Sequence, residues 1–366
     1  MNVGTASYDD NRRMLRLVYD HHCAVQPAVS HVFVIGDEQT FERMMKIKQA
    51  EPMGYEWLIP MPGDFHFTAH TMHAEFRLNW RTVLHPLLVR ASKEDKFQED
   101  WLMGVFNKHE VVFTTIVEAV YKWFEKLFPE LMDNPILLRD RCAPNMTATF
   151  LFEFLFGSGL PYLWLRRLFR LSPSKERRQA FHNFLVWQCW RFRTVNKYQY
   201  AMLCIQTLYV WNRLSPEYQN IYCDHFTMSM KGHEGRCIPI DHGQEKVNKA
   251  GKQLMDGTVT EEMVLHRIPW LNCIWPLEKA WFAFTADPDA RKLHDTRPDM
   301  EADVNNYLAI LLHAAGDTPA AATAPTNACT LSGGRITAAS LPSNRITAFN
   351  TTWAVWVNDR MSDLTF

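Results

Sequence analysis

Two short apolar runs near the start of the chain each close on a Gly-Asp pair, "HVFVIGD" at Gly36-Asp37 and "YEWLIPMPGD" at Gly63-Asp64. Between them "EQTFERMMKIKQ" alternates charged and apolar residues at the period of a helix, and Pro52-Met53-Gly54 stops it. Short apolar runs of this kind, bounded by glycine, predict buried strands. A strand, a compact helical crossover and a second strand make a parallel pair, which carries Asp37 and Asp64 to the same end. Pro60 has no amide hydrogen for a ladder, so the second strand is expected at a sheet edge or to end early. The two acids then admit two readings: a metal-holding carboxylate pair, or two ordinary strand-to-loop turns.

Upstream, residues 7–29 predict a helix, with Met14, Leu15, Val18 and Tyr19 at helical spacing. From about residue 66 to 235 the pattern becomes long helical runs whose stripes are thick with Trp, Phe and Leu, as in a core rather than a cofactor box. "IPIDHGQEKVNKAGKQLM" opens a further helix, with Asp241 as its expected cap and Glu245, Asn248 and Lys249 following within two turns. After Gly316 the chain turns Ala-, Thr- and Ser-rich with little charge, too little apolar surface to offset ordering entropy. The expected fold class is α-rich α/β, a small mostly parallel sheet with a large all-helical insertion. Its parts are residues 1–75 (strand–helix–strand), 76–235 (helical insertion), 236–315 (acidic-motif and completing helices) and 316–366 (disordered tail).

At 366 residues, 47% hydrophobic and 13% aromatic, the chain can bury a sizeable core. A net charge of -1 gives no bulk attraction to nucleic acid or acidic membrane, so such contacts need a local basic patch. Eight cysteines without a CxxC pair predict free thiols, and the N-terminal residues carry no secretory pattern, so a nuclear or cytoplasmic, non-secreted protein is expected. Residues 146–165 have the length of a membrane span, but Glu153, Gly157-Ser158-Gly159 and Pro161 interrupt them; a buried core segment is expected, and no membrane partner.

The leading chemical candidates are acidic: Asp37, Asp64 and Glu245. Metal-assisted phosphoryl transfer needs two or three carboxylates converging on Mg²⁺ or Mn²⁺, which activate the attacking oxygen and stabilise the leaving one. His66, His70 and His73 form a second cluster, and Cys223, His225, His233 and Cys237 a third, but neither matches a zinc spacing, so zinc is not expected. Arg166, Arg167, Arg170, Lys175, Arg177 and Arg178, then Arg191 and Arg193 interleaved with aromatics, are the candidate phosphate-backbone contacts, with Lys249. No GxxxxGK[ST], GxGxxG or GxSxG motif is present.

Taken together, "VFVIGDEQTFERMMKIK", "WLIPMPGDFHF" and "IDHGQEKVNKAGK" resemble a eukaryotic, mobile-element-associated domain-of-unknown-function family, over residues 5–315. The motif positions that carry the resemblance are Gly36, Gln39, Thr40, Lys46, Gly63, His66, Asp241 and Asn248. The family is similar to transposases with an RNase H-like core and an all-helical insertion. The resemblance implies a metal-dependent nuclease or strand-transfer domain acting on DNA, with Asp37, Asp64 and Glu245 as carboxylates for Mg²⁺ or Mn²⁺. It leaves open an active copy, a truncated and inactive one, or a non-catalytic domesticated DNA- or protein-binding protein. An RNase H-like core normally carries its first acid on an antiparallel meander, so either Asp37 is the second acid or the core is different. The interval between Asp37 and Asp64 holds only strand, helix and strand.

Overall fold

Residues 32–62 form the expected strand–helix–strand unit. The computed structural model describes residues 7–25, 30–92, 106–170, 175–228, 238–244 and 300–337. Helices dominate, and β1 (Val32–Gly36) pairs in parallel with β2 (Leu58–Pro62), from Val32 opposite Leu58 to Gly36 opposite Pro62. The Gly63 amide extends the ladder to the Gly36 carbonyl at 2.6 Å, which puts both Gly-Asp pairs at one end. The crossover helix α2 (Glu38–Ala50) buries Phe41, Met44, Met45 and Ile47. A helix-spaced apolar stripe thus meets the sheet while Glu42 and Lys46 pair outside it at 2.9 Å.

By chain contacts the molecule divides into two units. The first comprises Met1–Thr68, Leu168–His294 and Val357–Phe366. Its first helix, α1 (Tyr8–Val25), is capped by Ser7, whose hydroxyl accepts from the Asp10 amide at 3.0 Å and donates to the Asp10 carboxylate at 2.7 Å. The expected helix continues no further among the described residues, since 26–29 lie outside them.

Two long helices, αA (Lys175–Thr194) and αB (Tyr198–Arg213), form an antiparallel hairpin. Asn196, at φ 62, makes the left-handed turn, and the Lys197 amide closes onto the Phe192 carbonyl at 2.8 Å. A third helix, αC (Pro216–His225), begins with Ser215 as cap and Pro216 in the first turn. It ends against β3 (Thr227–Met228), which pairs antiparallel with β4 (Ile238–Pro239).

The second unit comprises Ala69–Arg167 and Asp295–Trp356. The chain enters it within α3 (Asp64–Asn79) and continues through α4 (His85–Ser92), α5 (Phe106–Leu127), α6 (Pro135–Cys142), α7 (Met146–Phe152) and α8 (Leu160–Arg170). It closes with α9 (Met300–Ala315), which packs on α5 and α4. Phe76, Phe113, Trp123, Phe124, Phe154 and Tyr162 are fully buried here, as the aromatic stripes predict.

The helical stretch Met146–Arg166 is long and apolar enough to cross a membrane, by length and composition alone, and it is partly buried. A membrane span is not indicated. A π-helical turn at Glu153–Gly159 interrupts it, and a Cβ at Gly159 would lie 2.7 Å from Val117. Glycine there allows a close helix-to-helix approach inside the unit.

The expected disordered tail is corrected for residues 316–337. Pro319–Thr323 is a short helix capped by Thr318, and Cys329 and Leu331 are buried. The Asn145 side chain donates to the Ala324 carbonyl at 2.8 Å, the Thr330 amide donates to Thr147 Oγ1 at 2.8 Å, and Arg90 donates to the Leu331 carbonyl at 2.9 Å. Side chains elsewhere in the unit satisfy this segment's backbone, a contribution its own composition does not register. Residues 338–366 lie outside the described residues.

Candidate functional site

Asp37 and Asp64 share one end of the strand pair, but their carboxylates do different work. Asp37 is exposed and is the N-cap of α2, accepting from the Thr40 amide at 2.8 Å. Gly36 belongs to the same device, because a Cβ there would lie 2.8 Å from the Thr40 side chain. The Gly-Asp-x-x-Thr pattern is therefore explained as a helix start, with Gln39 exposed in its first turn.

Asp64 is buried, only 7% exposed, and its Oδ2 accepts from the Tyr222 hydroxyl at 3.0 Å. Burial, and then the charge of Asp241, hold its carboxyl well above the usual range, while the Tyr222 hydrogen bond works in the other direction. Tyr222 is pushed up as well, by burial first and by Asp64 second, and its ring stacks on Phe226.

The second carboxylate of the site is Asp241. It does not cap its own helix as the local sequence suggests. Its oxygens accept from the Phe65 amide at 3.1 and 3.0 Å and from the His66 amide at 3.3 Å, and Oδ2 stands 3.1 Å from His66 Nδ1. Phe65 and His66 are the second and third residues of α3, the positions an N-cap side chain ordinarily serves. The residue in the cap position, Gly63, has no side chain to offer, and a Cβ there would lie 2.4 Å from Asp241 Oδ2. Asp241 thus caps α3 from 176 positions downstream of Phe65, in space that only glycine leaves open. His242 stacks on Phe65 at 4.3 Å, so the segment after β4 holds α3 by both neighbours.

The expected triad is therefore rearranged. The described residues bring Asp64 to Asp241 rather than to Asp37, and Glu245, Asn248 and Lys249 lie outside them. His66 is tied to Asp241 through Nδ1. His233 and Cys237 of the proposed Cys/His cluster also lie outside the described residues. The described cysteines are free, and burial pushes the Cys223 thiol up to about 12. Nothing in the local sequence marks Tyr222 or the Asp241–Gly63 contact, although Gly63 and Asp241 both stand in the quoted motifs.

Two of the expected DNA contacts are corrected. Arg177 is fully buried, donating from Nη1 to the Cys223 carbonyl at 2.9 Å and to Thr227 Oγ1 at 3.2 Å, with its guanidinium over the Phe226 ring. It serves the core because αA turns that side inward. Arg166 pairs with Glu110 through Nε and Nη2, and Tyr162 donates to the same carboxylate at 3.2 Å. Arg178, Arg191 and Arg193 are half-buried, Arg193 over the Trp190 ring at 4.9 Å. The side chains of Arg167, Arg170 and Lys175 lie outside the described residues. Arg166→Ala is expected to lower stability by about 1–3 kcal/mol, between the values for exposed and buried pairs, as read by urea unfolding.

Chemically, two carboxylates in a poorly solvated corner, braced by a phenol and a helix N-terminus, suit either a shared proton or a cation. Asp64 and Asp241 fit a hard divalent ion in donor type, since a cation relieves the like-charge burial that holds Asp64 up. Among the described residues no group of three or more His, Cys, Asp or Glu side chains is arranged to hold a metal. No protein family, curated protein or solved structure matches the chain.

Proposed function

We propose that the chain is a transposase-like, metal-dependent nuclease or strand-transfer domain of mobile-element origin with an RNase H-like core, in which Asp64 and Asp241 form the carboxylate pair. The single observation carrying this reading is a buried Asp64 beside Asp241 at the end of a parallel strand pair. Ligand-binding crevices lie at this end of open parallel sheets. Asp64 and Asp241 would hold Mg²⁺ or Mn²⁺, and Glu245, four residues beyond Asp241, remains the third expected ligand. When bound, such an ion would supply Lewis-acid stabilisation of a phosphoryl oxygen. Within the chain, Tyr222 fixes the Asp64 carboxylate and Asp241 orients the His66 ring. DNA remains the proposed partner, through those basic side chains that the core does not consume.

The test is Mg²⁺- or Mn²⁺-dependent DNA cleavage by wild type, Asp64→Asn, Asp241→Asn and Asp37→Ala. Loss by more than about 100-fold is expected for the first two, beyond the range for losing an outer-shell partner. Asp37→Ala, which removes only a cap, should retain cleavage. An inert wild type, or one matched by Asp64→Asn, sinks the enzymatic reading. A non-catalytic DNA- or protein-binding role would then stand. It is favoured by the use of Asp37 and Asp241 as helix caps.

A further inference from the structure

We propose that the outer face of αA, centred on Trp190, binds single-stranded DNA by stacking an unpaired base on the indole. The choice of DNA rests on the reading proposed above; the stacking surface itself does not. From Arg177 to Pro216 the chain contains no Asp or Glu, while Arg177, Arg178, Arg191, Arg193, Lys197 and Arg213 all fall in that stretch. The αA–αB hairpin is therefore a basic element in a chain whose net charge is -1. It is the local patch that attraction to a polyanion requires. Arg177 is spent inside the fold, whereas Arg213, at the far end of the hairpin, is exposed.

Helix αA turns Phe181, Phe184, Leu185 and Phe192 inward. Gln179, Asn183, Val186, Trp190 and Thr194, three or four residues apart, form a solvent-facing row on its other side. Trp190 is 59% exposed, an unusual state for the side chain with the most apolar surface to lose from water. The Arg193 guanidinium lies over the ring at 4.9 Å from its centroid. That cation fixes the indole on one side, and the exposed remainder is available to a flat partner. Cations over rings recur in the hairpin, with Lys197 at 5.2 Å from the Tyr200 centroid and Arg213 at 3.6 Å from that of Tyr209.

Interleaved cations and exposed aromatic rings suit a single strand, whose bases offer a free π-face while its phosphates meet the positive charge. In a duplex the bases are stacked on one another, and reaching one costs the energy of unstacking it. Arg191 and Arg193 stand one and three residues beyond Trp190 on αA, so a strand with its base on the indole carries its phosphates past them. Trp164 supplies the contrast. It is 52% exposed, but Arg166, two residues on, is committed to Glu110.

The experiment measures fluorescence anisotropy of a fluorescein-labelled oligothymidine of about 15 nucleotides, within the span of single-strand sites. The full-length chain is used in EDTA, so cleavage plays no part and an inert wild type in the cleavage assay leaves this measurement intact. Failure here, conversely, leaves the Asp64–Asp241 reading untouched. Saturable binding tighter than to a duplex of equal length is expected. Trp190→Ala should weaken it by about 5- to 150-fold, the value of one base–aromatic stack. Trp190→Phe should retain most of the affinity, and Trp164→Ala should bind as wild type does. Arg193→Gln should reduce the salt slope by about 0.7, one phosphate contact on a single strand, while Trp190→Ala leaves that slope unchanged. Trp190 is exposed, so its loss does not test folding. Absent saturation, equal affinity for duplex, an affinity that Trp190→Ala does not move, or tighter binding of the matching RNA oligonucleotide would each overturn the proposal.

Discussion

Gly63→Ala is expected to destabilise the protein by roughly 2–4 kcal/mol, a lost helix cap added to local overpacking. Alanine is usually the gentlest replacement for glycine, and Gly63 is not among the residues with left-handed φ. Backbone strain is therefore not the cause. The new methyl would take the space of Asp241 Oδ2, and either the carboxylate leaves the Phe65 and His66 amides or the strand end shifts. Chemical denaturation of four variants separates these effects. Asp241→Ala alone should cost about 1–2 kcal/mol, the range for losing a cap. Gly63→Ala combined with Asp241→Ala should cost little more than Asp241→Ala by itself, because the carboxylate at 2.4 Å is gone and only the milder Cβ contact at 3.2 Å remains. Gly63→Asp placed in the Asp241→Ala background should recover most of the loss, since an aspartate at position 63 would cap α3 from the ordinary position. Strict additivity of Gly63→Ala and Asp241→Ala would show that the two residues do not act through one contact.

The protein is also expected to lose stability between pH 6.5 and about 4 through His109. Burial, then the neighbouring His73, lower this imidazole from 6.5 to about 4 in the folded state. Between those values the unfolded chain binds the proton and the folded one does not, so stability falls as pH falls. Above pH 6.5 both states are neutral at this site and the contribution is constant. The loss amounts to about 2–3 kcal/mol over the window. His109→Leu should flatten the slope there. It should also stabilise the protein at pH 7, because leaving a buried polar group unpaired costs roughly 1–3 kcal/mol. Urea midpoints across this pH range read both effects, and an unchanged slope in His109→Leu would assign the acid sensitivity elsewhere.

Much of the first unit's start was legible because its signals are local. The β1–α2–β2 unit rests on patterns within a few residues: apolar runs ended by glycine, a helix-period stripe, and Asp37 three residues before Thr40. Those same local rules misassigned Asp241. A capping residue is read from the helix that follows it, and here the helix served is one that begins at Asp64. Arg177 sits in a basic run that looks solvated, yet a core of Phe226, Cys223 and Thr227 closes over it, and charge counting carries no burial information. His109 is equally silent in sequence, since "NKHE" has the look of an exposed first turn. Residues 316–337 show the complementary failure: composition measures what a segment can bury, not which partner side chains will satisfy its backbone.

The distant cap has a temporal consequence. During synthesis the first turn of α3 emerges well before Asp241 does, and its amides have no side-chain acceptor in the Gly63 position. Contacts of such long sequence separation carry the loop-closure entropy of everything between and form late. On the emerging chain the start of α3 therefore stays frayed until residue 241 has been added. The two carboxylates of the candidate site come together in that same late step, so a nascent or truncated chain ending before Asp241 holds Asp64 without its partner.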